Sequence, residues 1–204
     1  MNGASASSRR SAPLRPSERR ADRRHPSSRT TARPILPEVR LVVGDVVVYR
    51  NHGVGRVAAR RKQEVLGETQ EVVVLELDKL IVTLPLTSAR ARLRPLADKA
   101  ELRRVADALR AEWTLSPRNW LSRRKETVEK LVAGTPVELA EIVSEGAQRE
   151  RVRSASRGKG GLSVSERQLC NEARTLLSGE VALVLGIQPA AAETWIDGHL
   201  ARSA

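Results

Sequence analysis

The sequence predicts an α+β chain: a small β-barrel, then a compact all-α domain of about five helices, preceded by a disordered basic tail. Three observations predict it. Residues 1–36 are mostly Ser, Arg, Ala and Pro, with nine Arg against only Glu18 and Asp22. From Leu41 to Leu96, short Val-rich runs alternate with turn residues. After Pro95 the texture changes to Ala, Leu and Arg at helical spacing, punctuated by capping residues. The expected organisation is a tail over 1–38, a barrel domain over 39–97, a helical domain over 98–197 and a short tail over 198–204.

The first segment has almost nothing to bury, so the entropy of ordering it is not offset. It carries +7 of the chain's +12. It reads in three ways: an arm adding sequence-independent phosphate affinity, a solvated tail, or the product of an upstream start, because compact sequence begins abruptly near Val39–Val43. The last two together outweigh the first.

In the β segment, Val46-Val47-Val48-Tyr49 is one β-branched run, and Val54 to Ala59 continue after His52-Gly53. Val72 to Leu77 form a third run and Leu80 to Leu86 a fourth. Gly44-Asp45, Gly53, Gly67-Glu68 and Asp78-Lys79 supply the turns. The last two runs are close enough to form a hairpin. Four or five short strands in this span suggest a small curved barrel that keeps at least one edge strand. Val82-Thr83-Leu84 is the candidate edge, because Pro85 just beyond it cannot donate to a ladder.

In the helical segment, Leu102, Val105 and Leu109 recur at helical spacing within Ala100 to Arg110. Ser116-Pro117 offers an N-cap and a first-turn Pro for a second helix ending at Gly134. Thr135-Pro136-Val137-Glu138 is a capping box opening a third, to about Ser154. Ser163-Val164-Ser165-Glu166 caps a fourth, expected to reach Ser178-Gly179, with a fifth from about Glu180 that Gly186 to Pro189 can interrupt.

Composition removes several function classes. Cys170 is the one cysteine, so no intrachain disulfide can form, and three scattered His leave no metal-site spacing. No apolar run approaches the ~20 residues of a membrane span, and the N-terminus lacks a secretory signal pattern. There is no phosphate-binding loop; HGVGRV sits between strands rather than opening a helix. Cys170 lies among Leu169, Ala173 and Leu176 as a small packed residue, and His52 reads as a turn residue rather than a base. Catalysis, a cofactor, a metal, a membrane and a small-molecule substrate are therefore not expected. The expectation is a cytoplasmic, nucleoid-associated protein whose basic balance favours nucleic acid or an acidic protein surface.

The segment SPRNWLSRRKETVEKL, residues 116–131, is the most informative. At 100° per residue, Leu121, Val128, Leu131 and Val132 form an apolar stripe, with Trp120 roughly 80° off its centre. Arg123 and Arg124 stand one turn on. An indole flanked by cations at a helix start can wedge against a base step while the cations hold the phosphates. The alternative is that Trp120 packs between helices beside a solvated basic face, and on composition alone this packing reading is stronger. Trp113 and Trp195 read as packing residues. Arg149, Arg151, Arg153 and Arg157 read as a solvated helix end, or else an accessory phosphate contact.

Three stretches, VGDVVVYRNHGVGRV (43–57), LPLTSARARLRPL (84–96) and NWLSRRKETVEKLVAG (119–134), resemble the CarD/CdnL family of bacterial transcription regulators. The likeness covers about 155 residues in the family's order. It implies that residues 41–97 form a Tudor/SH3-like barrel, shared with the transcription-repair coupling factor, that binds the RNA polymerase β subunit through an edge strand: here Val82, Thr83 and Leu84. It implies a helical DNA-binding domain over residues 98–197, with Trp120 wedged into the promoter minor groove beside the −10 region. That wedge stabilises the open complex at the upstream edge of the bubble, and Arg123 and Lys125 fit the backbone contacts. Arg124 fits by geometry only. The resemblance reverses the ranking of the two readings of Trp120. Ser122 stands where the family commonly has a basic residue, and Gln63 and Thr83 where barrel arginines often serve polymerase. Two further readings stay open: a protein-interaction module without productive DNA contact, and a general basic DNA-binding protein.

The last of these separates cleanly from the rest. A general basic DNA binder loses most of its affinity and salt dependence when residues 1–36 are deleted. The expectation is that this deletion leaves most promoter affinity in place, read by titrations at several salt concentrations.

Overall fold

The computed structural model describes residues 41–65, 67–78, 80–112, 119–155 and 162–200. The tail expected over residues 1–38 lies outside them.

Five strands make one antiparallel sheet in the order β4-β3-β2-β1-β5. They are β1 (Val46–Tyr49), β2 (Gly53–Val65), β3 (Glu68–Leu77), β4 (Ile81–Pro85) and β5 (Leu93–Pro95). A 3-10 turn over Arg50–His52 joins the first two, placing His52 in a turn as expected. Period-2 alternation sends Val47, Val57, Val73, Leu75, Leu84 and Leu93 to one face, where they form a core with Leu41 and Ala89. β4 stands at an edge of the sheet, as the position of Pro85 suggested.

Two features depart from the expected pattern. β2 runs on from Ala59 through Arg60-Arg61-Lys62-Gln63-Glu64, a polar stretch. Pairing with β3 holds it there, from Arg60↔Val73 to Val65↔Glu68. Arg60 also forks onto Glu71, through Nε–Oε1 at 2.6 Å and Nη2–Oε2 at 2.9 Å. Between β4 and β5 lies a short helix, α1 (Leu86–Arg92). Only Ala89 of α1 is fully buried, so its seven residues carry little periodic signal.

The helical part follows with α2 (Lys99–Arg110), α3 (Trp120–Ala133), α4 (Pro136–Ala155), α5 (Val164–Leu185) and α6 (Pro189–Leu200). Their inward residues, among them Leu102, Leu109, Leu131, Leu139, Leu177 and Ile196, build a second core. The capping boxes at Thr135/Glu138 and Ser163/Glu166 both form. The break expected at Ser178-Gly179 does not exist: α5 continues to Leu185 and stops at Gly186, in left-handed backbone. Gly within a helix costs only ~1 kcal/mol relative to Ala. Ser178, Glu180 and Val181 are all buried, and their packing outweighs that cost. α6 runs to Leu200, so residues 198–200 are helix rather than tail.

The sheet and the helices pack as one compact unit, joined by a buried ion pair. Arg94 of β5 is 5% exposed and Glu180 of α5 is 1% exposed. They meet in two parallel bonds of 2.6 Å. Glu180 Oε1 also accepts from the Ala97 N–H at 2.9 Å, and Arg94 Nε donates to the Gly134 carbonyl at 3.0 Å. Gly134 caps α3 at φ 61°, and a Cβ there would stand 3.2 Å from the Cα of Arg50. Only glycine allows both the left-handed turn and the close approach.

Removing one partner of a buried, hydrogen-bonded pair strands the other charge. Glu180→Ala or Arg94→Ala is therefore expected to cost about 3–5 kcal/mol, measured by chemical denaturation. An apolar double replacement, Arg94→Met with Glu180→Leu, is expected to recover most of that loss.

Candidate nucleic-acid interface

The first turn of α3 is fixed by its cap. Asn119 has extended backbone, and its side-chain oxygen accepts from the Ser122 N–H at 2.9 Å. Trp120 is therefore the first helical residue. The N-cap expected at Ser116 is displaced to Asn119, because the helix does not run back through that extended residue; Ser116 and Pro117 themselves lie outside the described residues, as does Trp113.

The buried face of α3 is not the apolar stripe that the spacing predicted. Leu131 is buried and Val128 half-buried, but Leu121 is 66% exposed and Val132 is also exposed. Polar side chains take their place. Arg123 reaches Glu166 of α5, Nη2–Oε1 2.9 Å, with both side chains mostly covered. Lys130 reaches Glu141 of α4, Nζ–Oε2 2.9 Å, and Thr127 is half-buried between these positions. A face anchored by ion pairs has no hydrophobic periodicity to find.

Anchoring by Arg123 and Lys130 turns another face outward. Leu121, Arg124 and Lys125 share it at i, i+3 and i+4, and all are exposed. Lys125 has only a loose 3.9 Å contact with Glu129. Of the cations expected to meet phosphate, Arg124 and Lys125 thus project from the surface, while Arg123 is engaged by Glu166. Exposed Leu121 went unrecognised in the sequence because stripe arithmetic assigned it to the core. In the second basic stretch, Arg149 is buried against Glu145 at 2.7 Å, and Arg151 donates to the Leu200 carbonyl at 2.7 Å. Arg149 is therefore packed rather than solvated, whereas Arg151 stays exposed while bonding the end of α6; the side chains of Arg153 and Arg157 lie outside the described residues.

Glu166 is held by several donors. Burial pushes its carboxyl up, but hydrogen bonds from Arg123 and from the Ser163 hydroxyl and N–H outweigh this and bring its pKa down to about 2. Behind it, burial and the nearby acid Glu145 push the Cys170 thiol up to about 11, so it stays a protonated packing residue. Trp195 packs against the helical core, its ring 4.0 Å from that of His199.

The other candidate surface is β4. It pairs on one side with β3, from Val72↔Pro85 to Glu76↔Ile81. Ile81 (70%) and Thr83 are exposed, Val82 is half-exposed and Leu84 is buried in the core. Gln63 and Ser122, two of the family departures, are also exposed.

Residues 41–97 match the family model of the CarD-like/TRCF RID domain, and residues 104–197 match that of the CarD C-terminal domain. Together the matches span about three quarters of the chain. The chain belongs to the CarD/CdnL family. It is also 24% identical over 148 residues to the Bacillus subtilis (strain 168) protein named "Putative transcription factor YdeB", covering 71% of this chain and 92% of that protein. This CarD-like chain therefore has a transcription-related role built on an RNA polymerase-interacting domain, and its family is one of transcription factors rather than enzymes. Among the described residues, no single helix is long and apolar enough to cross a membrane.

The Glu166 carboxyl titrates lower in the folded chain than in the unfolded one. Its contribution to stability is thus present above the unfolded value near 4.5 and is lost as pH falls toward about 2. Glu166→Gln is expected to flatten the fall in stability across that window, measured by denaturant midpoints at stepped pH.

Proposed function

We propose that the chain bridges RNA polymerase and promoter DNA and stabilises the open complex. The edge strand β4, with Val82, Thr83 and Leu84, adds to a strand of the polymerase β subunit through its main-chain groups. Trp120 at the start of α3 wedges into the minor groove at the upstream edge of the bubble near the −10 region. Arg124 and Lys125 take adjacent phosphates, and Leu121 adds apolar contact beside the indole. Arg123 acts as a positioning residue through Glu166.

One observation carries this reading. Near the start of α3, Leu121, Arg124 and Lys125 are left exposed while the helix's other side is tied down by ion pairs to α4 and α5. The cap of α3 at Gly134 is in turn bonded to Arg94 of β5. A wedge transmits force between polymerase and DNA only if the two contact surfaces cannot swivel, and this junction supplies that stiffness.

The effect is a population shift: tighter binding to the open complex by about 1.4 kcal/mol moves the open-to-closed ratio tenfold. Trp120→Ala is expected to shorten open-complex lifetime several-fold while polymerase pull-down is unchanged. Val82→Pro is expected to abolish the pull-down by breaking the edge ladder. Equal DNA binding by wild type and a Leu121/Arg124/Lys125 alanine variant would instead mark the chain as an interaction module that uses its barrel alone.

A further inference from the structure

A groove on the helical part lies apart from both surfaces. It runs along α2, whose Lys99, Leu102, Arg103 and Ala106 line it, and is walled by Leu185 at the end of α5 and Trp195 of α6. Its volume is about 480 Å³, within the range of built ligand sites. Leu102 and Ala106 are buried at its floor, and Trp195 is half-buried. His199 fixes that wall: its Nδ1 donates to the Trp195 carbonyl at 2.7 Å.

The groove has a length and a charge. Its α2 lining extends from Lys99 to Arg110, about 16 Å at 1.5 Å per residue, or three helical turns. Small Ala106 at mid-groove lets another backbone approach closely. Lys99 and Arg103 are exposed on its rim and make no ion pair with another described residue. The one acid of the lining, Asp107, lies 3.6 Å from Arg110. A basic rim over an apolar floor complements a ligand that carries acidic side chains beside an apolar face.

We infer that this groove docks an acidic amphipathic helix of a partner protein, whose apolar face covers Leu102, Ala106, Leu185 and Trp195 while its carboxylates meet Lys99 and Arg103. The inference stands independently of the DNA reading, because none of these residues belongs to α3 or β4.

The test uses the full chain labelled with ¹⁵N and a synthetic amphipathic helical peptide of about four turns, with Leu on one face and Glu on its flanks. A peptide with Lys in place of Glu, and a short duplex DNA, are the controls. The acidic peptide is expected to move amide resonances of α2 and α6 and the Trp195 indole resonance. Lys99→Glu with Arg103→Glu is expected to weaken it about tenfold or more, Arg103→Ser should act in the same direction, and the Lys peptide should not bind. Shifts centred on α3 or β4, undiminished affinity in both variants, equal binding of the Lys peptide, or duplex DNA occupying the groove instead would each overturn the inference.

Discussion

The buried pair between Arg94 and Glu180 is the contact on which the rest of this structure turns. It joins the last strand of the sheet to the C-terminal third of α5, the longest helix among the described residues. Further hydrogen bonds run from the Ala97 N–H and to the Pro95 and Gly134 carbonyls, so one charge pair orients the sheet, α5 and the end of α3 together. Such a pair is a poor source of net stability, because desolvating two charges offsets most of their attraction. It is a strong constraint on geometry, since any other arrangement would bury a charge without its partner. An apolar contact of equal area would tolerate sliding; a forked guanidinium–carboxylate pair does not.

The same logic reappears on a smaller scale in α3. Arg123 and Lys130 hold this helix to α5 and α4 through ion pairs. The helix therefore needs few apolar side chains inward, and Leu121, Arg124 and Lys125 are left outward. Stability for the fold comes from the two hydrophobic cores, whereas orientation of the surface elements comes from polar pairs that bridge them. The separation suits the bridging role proposed above.

Much of the fold was legible before any coordinates. Val46–Tyr49, the edge position of β4, and the caps at Thr135 and Ser163 all follow from local chemistry that acts within a few residues. What was illegible shares a cause. The polar extension of β2 exists because β3 pairs with it. α5 passes through Gly179 because Ser178, Glu180 and Val181 are buried around it. Leu121 was assigned to the core because hydrophobic spacing cannot register a helix face packed through Arg123, Thr127 and Lys130. Of the candidate site, the structure starts α3 at Trp120 and leaves Arg124 and Lys125 exposed, while the inward role of Arg123 does not come from spacing.

By itself the sequence determined the class of the molecule: a Val-rich strand segment, a capped helical segment, and motif residues sufficient to place it in the CarD/CdnL family. Those features are local, and hydrogen bonds and side-chain entropy within one turn or one strand decide them. The tertiary structure alone decided which cations face solvent and which are spent inside, and how the sheet is clamped to the helices. Arg94 and Glu180 are 86 positions apart, and nothing in either neighbourhood marks them as partners. A charge finds its partner only when the chain has folded and water has been removed from between them.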